Sequence, residues 1–246
     1  MSASTAVVKA EFRLFLREPF SLFWIVLFPS ILLMILGLIP SFREPDPGLG
    51  GNRVIDLYVP VTVLIAMIMA GLMALPPVLS GYRERGILRR MSTTPVRPAS
   101  LLAAQIVLHF AASLVSALLA VTVGRVAFDV ALPGHVPGYL LALLLGALSA
   151  LALGSAVTAV TRTAKATNVA GMIVVFPMMF LAGVWIPVQA MPDVLQRIVE
   201  YSPFGAASQA LGQATGGGWP DWTHLGVIAA WSAVLIAAAA RWFRWE

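Results

Sequence analysis

The chain has 246 residues, with sixteen basic and eleven acidic side chains and a formal net charge of +5. It is 59% hydrophobic and only 11% charged, with a mean hydropathy of +0.89. Soluble domains are about 45–50% apolar, so an ordinary soluble enzyme is excluded, and the absence of cysteine excludes disulfides and thiolate metal sites.

Residues 3–18 open the chain as a surface helix. Val8, Phe12, Phe15 and Leu16 recur at helical spacing, with Lys9, Arg13 and Arg17 on the other side, which suits a helix lying in the headgroup plane. Pro19 then suits the first turn of a new helix. A membrane span needs about 20 apolar residues to cross roughly 30 Å of hydrocarbon, and six runs qualify: 20–40, 57–79, 100–124, 138–161, 167–186 and 223–240. The first has no short basic leader and no small-residue cleavage site, so it is expected to stay in place.

Pro29 in span one, Pro76 and Pro77 near the end of span two, and Pro177 in span five interrupt backbone hydrogen bonding and mark bends or ends. Span three carries Gln105, His109, Ser113 and Ser116 on one side. Unpaired polar groups are costly in hydrocarbon, so this stripe is expected to face the bundle interior. Span four carries Gly146, Ala150 and Gly154, a spacing that lets a neighbouring helix approach closely. Residues 187–205 are too polar to cross, yet Val188, Met191, Leu195 and Ile198 keep helical intervals. They predict a short external helical segment lying at or dipping into the interface, with Trp185 and Tyr201 as aromatic anchors. The closing "RWFRWE" anchors span six. The fold expected is a single all-α polytopic domain over residues 1–246, with an amino-terminal interfacial helix and six transmembrane helices.

The charges orient it. With the amino terminus inside, the cytoplasmic segments hold twelve basic residues and the outer loops four, Arg43, Arg53, Arg125 and Arg197. Such a bias places both termini in the cytoplasm and accounts for the basic pI without a nucleic-acid partner. Fourteen arginines against two lysines, with abundant alanine, point to a GC-rich bacterial genome and hence to a bacterial plasma membrane.

Much chemistry is missing from the pattern. No Asp, Glu or Lys lies deep in a span, which disfavours a carrier driven by protons or sodium. No G-x-x-x-x-G-K-[ST] segment offers a phosphate cradle, and His109, His135 and His224 lack zinc-ligand spacing. One interval stands out instead. "RERGILRRMSTTPVRP", residues 83–98, holds five of the sixteen basic residues. It faces the cytoplasm as a positive-inside loop, and Ile87, Leu88 and Met91 supply an apolar side for a partner groove.

"YRERGILRRMSTTPVRPASLLAAQ" resembles the segment joining spans two and three in type-two ABC transporter permeases, where an acidic residue, a glycine and then "TPV" precede span three. "FLAGVWIPVQAMPDVLQRIVEYSPF", residues 180–204, is similar to that family's signature after span five, and "EFRLFLREP" resembles its interfacial helix. The resemblance implies an exporter subunit for hydrophobic or amphipathic substrates such as drugs, lipids or natural products. It implies a homodimer or heterodimer of six-span subunits, a homodimer by expectation, embedded in membrane lipid and joined to two separate ATPase subunits. ATP and magnesium would be held on those partners and no cofactor on this chain.

Carried over position by position, Glu84, Arg85, Gly86, Ile87, Leu88, Arg89, Arg90 and Met91 would form the coupling helix that the ATPase pushes. Arg13, Arg17 and Glu18 would make a second contact, with Arg162 and Lys165 a minor third. The substrate path, along spans two and five in that family, would be lined by Tyr58, Thr62, Asn168, Met172, Phe176, Met179 and Phe180. Relative to some members, the loop "SFREPDPGLGGNRVID" is short and offers no large external domain. Two other readings stay open: a membrane sensor or scaffold that docks a cytoplasmic signalling partner through the same loop, and an ATP-independent carrier or channel.

Overall fold

The computed structural model describes residues 3–91 and 98–242. The "TPV" element and Arg97, and the closing sequence beyond Trp242, lie outside the described residues. Within them the chain is helical with no strand, and six helices are long and apolar enough to cross a membrane. They are Pro19–Gly37, Val54–Glu84, Ser100–Phe128, Val136–Val160, Ala164–Leu181 and Trp222–Trp242. The end of the bundle where span one starts is called basal here, and the opposite end distal.

Span two is the hub. In its most apolar stretch 89% is buried, against 17% in span five and 28% in spans one and six. Apolar burial between helices gains little where lipid is equally apolar, so close packing through small residues must hold the hub. Span four provides it. A Cβ on Gly154 would land on the carbonyl of Gly71, and one on Gly71 would land on the carbonyl of Ala150. The stripe at Gly146, Ala150 and Gly154 is thus the face that span two rests on, and Gly146 meets Met67 and Ala207.

Span two runs on to Glu84 rather than ending at the proline pair, which corrects the sequence reading. Pro76 and Pro77 have no N–H for the carbonyls of Leu72 and Met73. The chain absorbs the loss as a π-helical turn over Met69–Ala74, and a fresh α segment, Leu75–Glu84, starts with prolines in its first turn. The carbonyl of Leu72 lies against Gly171 of span five, where a Cβ would stand 2.8 Å away. Span one does the same before Pro29, with a π turn over Phe23–Leu27, and Pro19 takes the first turn of that span. Span five is continuous through Pro177 and is capped by Thr163, whose hydroxyl accepts from the Ala166 N–H at 3.1 Å.

The polar stripe of span three does face the interior, with Gln105, His109, Ser113 and Ser116 all buried. At the distal end the chain does something the sequence reading only half anticipated. After a 3-10 turn at Val188–Ala190, the helix Asp193–Glu200 descends and a second helix, Pro203–Thr215, returns. The Trp231 Nε1–H donates to the carbonyl of Tyr201 at 2.9 Å, and Trp231 lies nine residues into span six, which begins at Trp222. At about 1.5 Å per residue the tip is roughly 14 Å below the distal end of that span. Tyr201 is therefore the tip of a re-entrant pair rather than a surface anchor. Ser202 makes the reversal, donating to Val199 O at 2.7 Å and accepting from Gly205 N at 3.1 Å. The returning helix meets the distal start of span four, where His135 N donates to Ala214 O at 2.9 Å.

Candidate functional site

The chemistry-bearing residues gather at the basal end. The amino-terminal helix, Ala3–Phe15, turns Val7, Glu11 and Phe15 inward and leaves Val8, Phe12 and Leu16 exposed. An exposed apolar stripe beside exposed Lys9, Arg13 and Arg17 matches the interfacial expectation, but the inward face includes an acid. Glu11 is 7% exposed and accepts from the Tyr82 hydroxyl and from Gln105 Nε2, each at 2.6 Å. Gln105 Nε2 also reaches the Tyr82 oxygen at 3.3 Å. The carbonyl of Gln105 can only accept, so His109, 2.8 Å away through Nδ1, donates from that nitrogen. The same ring packs edge-on to Phe15 at 5.2 Å. One carboxylate thus joins the amino-terminal helix to spans two and three.

The next two residues of span two reach the opposite side. Arg83 donates to the carbonyls of Thr158 at 3.2 Å and Thr161 at 2.6 Å, where the last turn of span four leaves acceptors unpaired. The Glu84 carboxylate accepts from Ala164 N at 2.7 Å, at the start of span five, where backbone donors and the helix dipole favour an anion. Arg83 and Glu84 together clamp the connection between spans four and five.

Gly86 then turns the chain at a φ of +63, a backbone region that costs glycine little, and the short helix Ile87–Met91 follows. Leu88 is 1% exposed against Tyr82 and Leu101, with Ile87 and Met91 half-buried around it. The expectation of an outward apolar grip is corrected: that side fixes the helix to its own chain. Its outer surface is polar and exposed, made of Glu84, Arg85, Arg89 and Arg90. Arg85 lies over the Tyr82 ring at 5.7 Å and donates to Gly81 O at 3.1 Å, and Arg90 donates to Arg85 O at 3.0 Å. Arg17 and Glu18 are exposed nearby, with Ser21 donating to Glu18 at 3.3 Å.

The residues expected along a substrate path divide between two cavities. A basal cavity of about 760 Å³ is bounded by Arg17, Glu18, Tyr82, Arg85, Asn168 and Met172. A distal one of about 540 Å³ includes Tyr58 with Asp56, Gln189, Ser208 and Gln209. Tyr58 donates to Val184 O at 3.1 Å. Thr62, between the two levels, is fully buried and donates to Val59 O at 2.8 Å. Phe176 continues the face of Asn168 and Met172 and is exposed. Met179 is half-buried against the main core, while Phe180 packs with Val188, Met191 and Val199.

At the distal rim Arg53 pairs with Asp56 at 2.6 Å and donates to Phe128 O at 3.1 Å and Asp129 O at 3.3 Å. The hydrogen bonds that Arg53 donates to Asp56, outweighing the desolvation that opposes them, raise the Arg53 pKa above its ordinary value. This staple ties the distal ends of spans two and three.

Glu11, Tyr82, Arg83 and Gln105 are the residues that sequence reasoning missed as a unit. The available signal was an acid at position 11 flanked at helical spacing by Val7 and Phe15, beside a polar stripe beginning at Gln105.

Against known proteins, a family model described as ABC-2 type transporter matches residues 3–214. No curated protein matches the chain significantly.

Proposed function

Because the chain belongs to the ABC-2 type transporter family and is a multi-pass permease subunit of an ABC transporter, we propose that it works in an exporter. Its basal end faces the cytoplasm of a bacterial cell, and two copies of the chain combine with two ATPase subunits that hold ATP and magnesium. The cargo is a hydrophobic or amphipathic molecule, moved outward by alternating access.

The basal connections are the observation that carries this reading. A partner pressing on Glu84–Met91 acts on a helix seated by Leu88 on Tyr82. Tyr82 bonds to Glu11 and, through it, to span three, while Arg83 and Glu84 grip spans four and five. The push therefore reaches four spans and the amino-terminal helix together. Exposed Arg13, Arg17, Arg85, Arg89 and Arg90 suit an acidic partner surface, where guanidinium groups bind carboxylates in paired geometry. ATP closure drives the cycle only in so far as the ATPase binds one arrangement of the spans more tightly than the other.

The test is co-reconstitution of the chain with its ATPase in liposomes. ATP-dependent extrusion of an amphipathic dye from the vesicle face that carries the ATPase is expected. Changing Arg89 and Arg90 to glutamate should remove extrusion while the protein stays in the membrane. ATP turnover with no directional flux for any amphipathic probe would contradict the export reading, and flux without the ATPase would overturn the coupling.

A further inference from the structure

The distal cavity, about 540 Å³, lies between span two and the returning helix Pro203–Thr215. It has a polar face that the coupling route above does not use. Gln189, Ser208 and Gln209 line it, and none of the three side chains makes a hydrogen bond among the described residues. Ser208 and Gln209 stand seven and six residues before Thr215. At about 1.5 Å per residue they sit roughly 10 Å below the distal end of that helix. At that depth a carboxamide turned to lipid is costly, and polar groups without protein partners are tolerated where they line a water-filled cavity.

Two more amides complete the face. The Gln213 oxygen accepts from the Asp221 N–H at 2.8 Å and its own N–H donors stay open, while Asn52 donates through Nδ2 to Leu49 O at 3.0 Å and keeps its oxygen. The charges in the cavity cancel. Arg53 and Asp56 are paired to each other, so neither a cation nor an anion finds a free counter-charge there. What remains is a set of uncharged groups that together donate and accept, beside an apolar wall of Leu57, Pro60, Val61 and Pro187. A sugar ring presents the same two faces: hydroxyls at its edge, each both donor and acceptor, and C–H groups on its flat side. A peptide also donates and accepts, but it pairs through a strand edge, and the described residues hold no strand. The volume lies in the range of small-molecule sites, about 300–1,000 Å³.

We propose that the distal cavity binds an uncharged glycosyl group, with Gln189 and Gln209 pairing to its hydroxyls and the proline and valine wall against its ring. This site stands apart from the export reading, since it needs only the chain itself with its distal end open to solvent.

The experiment uses the full chain in phosphatidylcholine nanodiscs free of alkyl glycoside detergent. Methyl β-glucoside, methyl β-galactoside and methyl α-mannoside are the probes, and saturation transferred from protein methyl protons to the sugar ring is read by NMR. Saturable transfer is expected for at least one of them, and none for any would overturn the site. For that sugar, Gln209→Leu and Gln189→Ala should each raise Kd by about tenfold, for the loss of neutral hydrogen bonds. Gln189 is exposed at the rim, so its variant tests the site even if Gln209→Leu alters folding. Thr122→Ala, which removes an exposed hydroxyl on span three, should change nothing. Binding unchanged in both glutamine variants would place the sugar elsewhere and overturn the assignment. The matching methyl uronide, with a carboxylate in place of the hydroxymethyl group, should bind more weakly, and tighter binding would overturn the uncharged class. Comparing the methyl with the phenyl glycoside separates two sources of such a group: equal affinity marks a free sugar, tighter phenyl binding a glycoside with an apolar aglycone.

Discussion

Glu11 shows why single residues were the least legible scale. In the sequence it is one acid among Lys9, Arg13 and Arg17, and its solvated partners could have been any of them. Burial against Tyr82 and Gln105 decides otherwise, and those two lie 71 and 94 positions away. Replacing it with alanine leaves a buried hydroxyl and a buried amide without their acceptor, at a cost of about 1–3 kcal/mol. Glu11→Ala is therefore expected to lower thermal stability in detergent and to separate ATP turnover from transport. Glu11→Gln, which retains an acceptor oxygen, should recover most of the stability. If the two variants behave identically in both assays, the carboxylate is not the joint. A second residue-scale expectation concerns Asp221. Its carboxylate accepts from Thr223 N at 2.8 Å, and that backbone hydrogen bond holds its pKa below the ordinary 3.8. With the folded value depressed, the contribution to stability is complete above the ordinary value and is lost as pH falls through the lowered one. Hydrogen exchange at the Thr223 amide should accelerate in that acid window in wild type, while Asp221→Ala should show fast exchange already at neutral pH.

At the scale of elements, long apolar runs announced the spans, and the small-residue stripe of span four announced a packing face. What the runs did not show is how prolines are accommodated. A proline pair reads as a helix end from local chemistry, because the missing N–H is visible in the sequence and the compensating π turn is not. The close approach of span four to span two is the tertiary condition that keeps span two continuous. The returning helix Pro203–Thr215 was missed for a related reason. It has thirteen residues, short of the about 20 needed to cross, and its alanines and glycines carry little hydropathy signal. Glycine geometry makes the packing testable. Gly154→Ala places a methyl group on the backbone carbonyl of Gly71, an atom that cannot step aside. Overpacking of this kind costs about 1–3 kcal/mol, so a clear drop in thermal stability and in folded yield is expected. Gly146→Ala meets the flexible sulfur of Met67 at 3.3 Å and the Ala207 methyl at 3.6 Å, and should be tolerated better. Equal loss in the two variants would argue against the carbonyl contact as the tight point.

At the scale of the whole molecule, the uneven distribution of arginine supplied an expected orientation, but assembly was not written in the sequence. An apolar helix face reads alike whether it meets lipid or another copy. The structure adds charge to that choice. The descending re-entrant helix exposes Asp193 and Arg197 on one stripe with Tyr201, and among the described residues Arg197 forms no ion pair. The stripe leads towards the tip roughly 14 Å down, where charge facing lipid is expensive. In the homodimer proposed above, a second copy related by a two-fold axis would present the same stripe reversed, so that Arg197 of each would meet Asp193 of the other. Span five, with only 17% of its apolar stretch buried, lies beside it and in that proposed dimer would bring Asn168, Met172 and Phe176 to the same seam. Arg197→Glu and Asp193→Arg should each reduce the dimer association constant in bilayers by about thirtyfold or more, the low end of the cost of losing one partner from a buried charge pair. The double variant should restore it, because the exchanged charges pair again. The chain has no cysteine, so Met172→Cys introduces a single thiol, and oxidation should give a symmetric cross-link in wild-type background that Arg197→Glu abolishes and the double exchange recovers. A cross-link indifferent to these charges would place the two copies against each other by another face, and with it the substrate path away from span five.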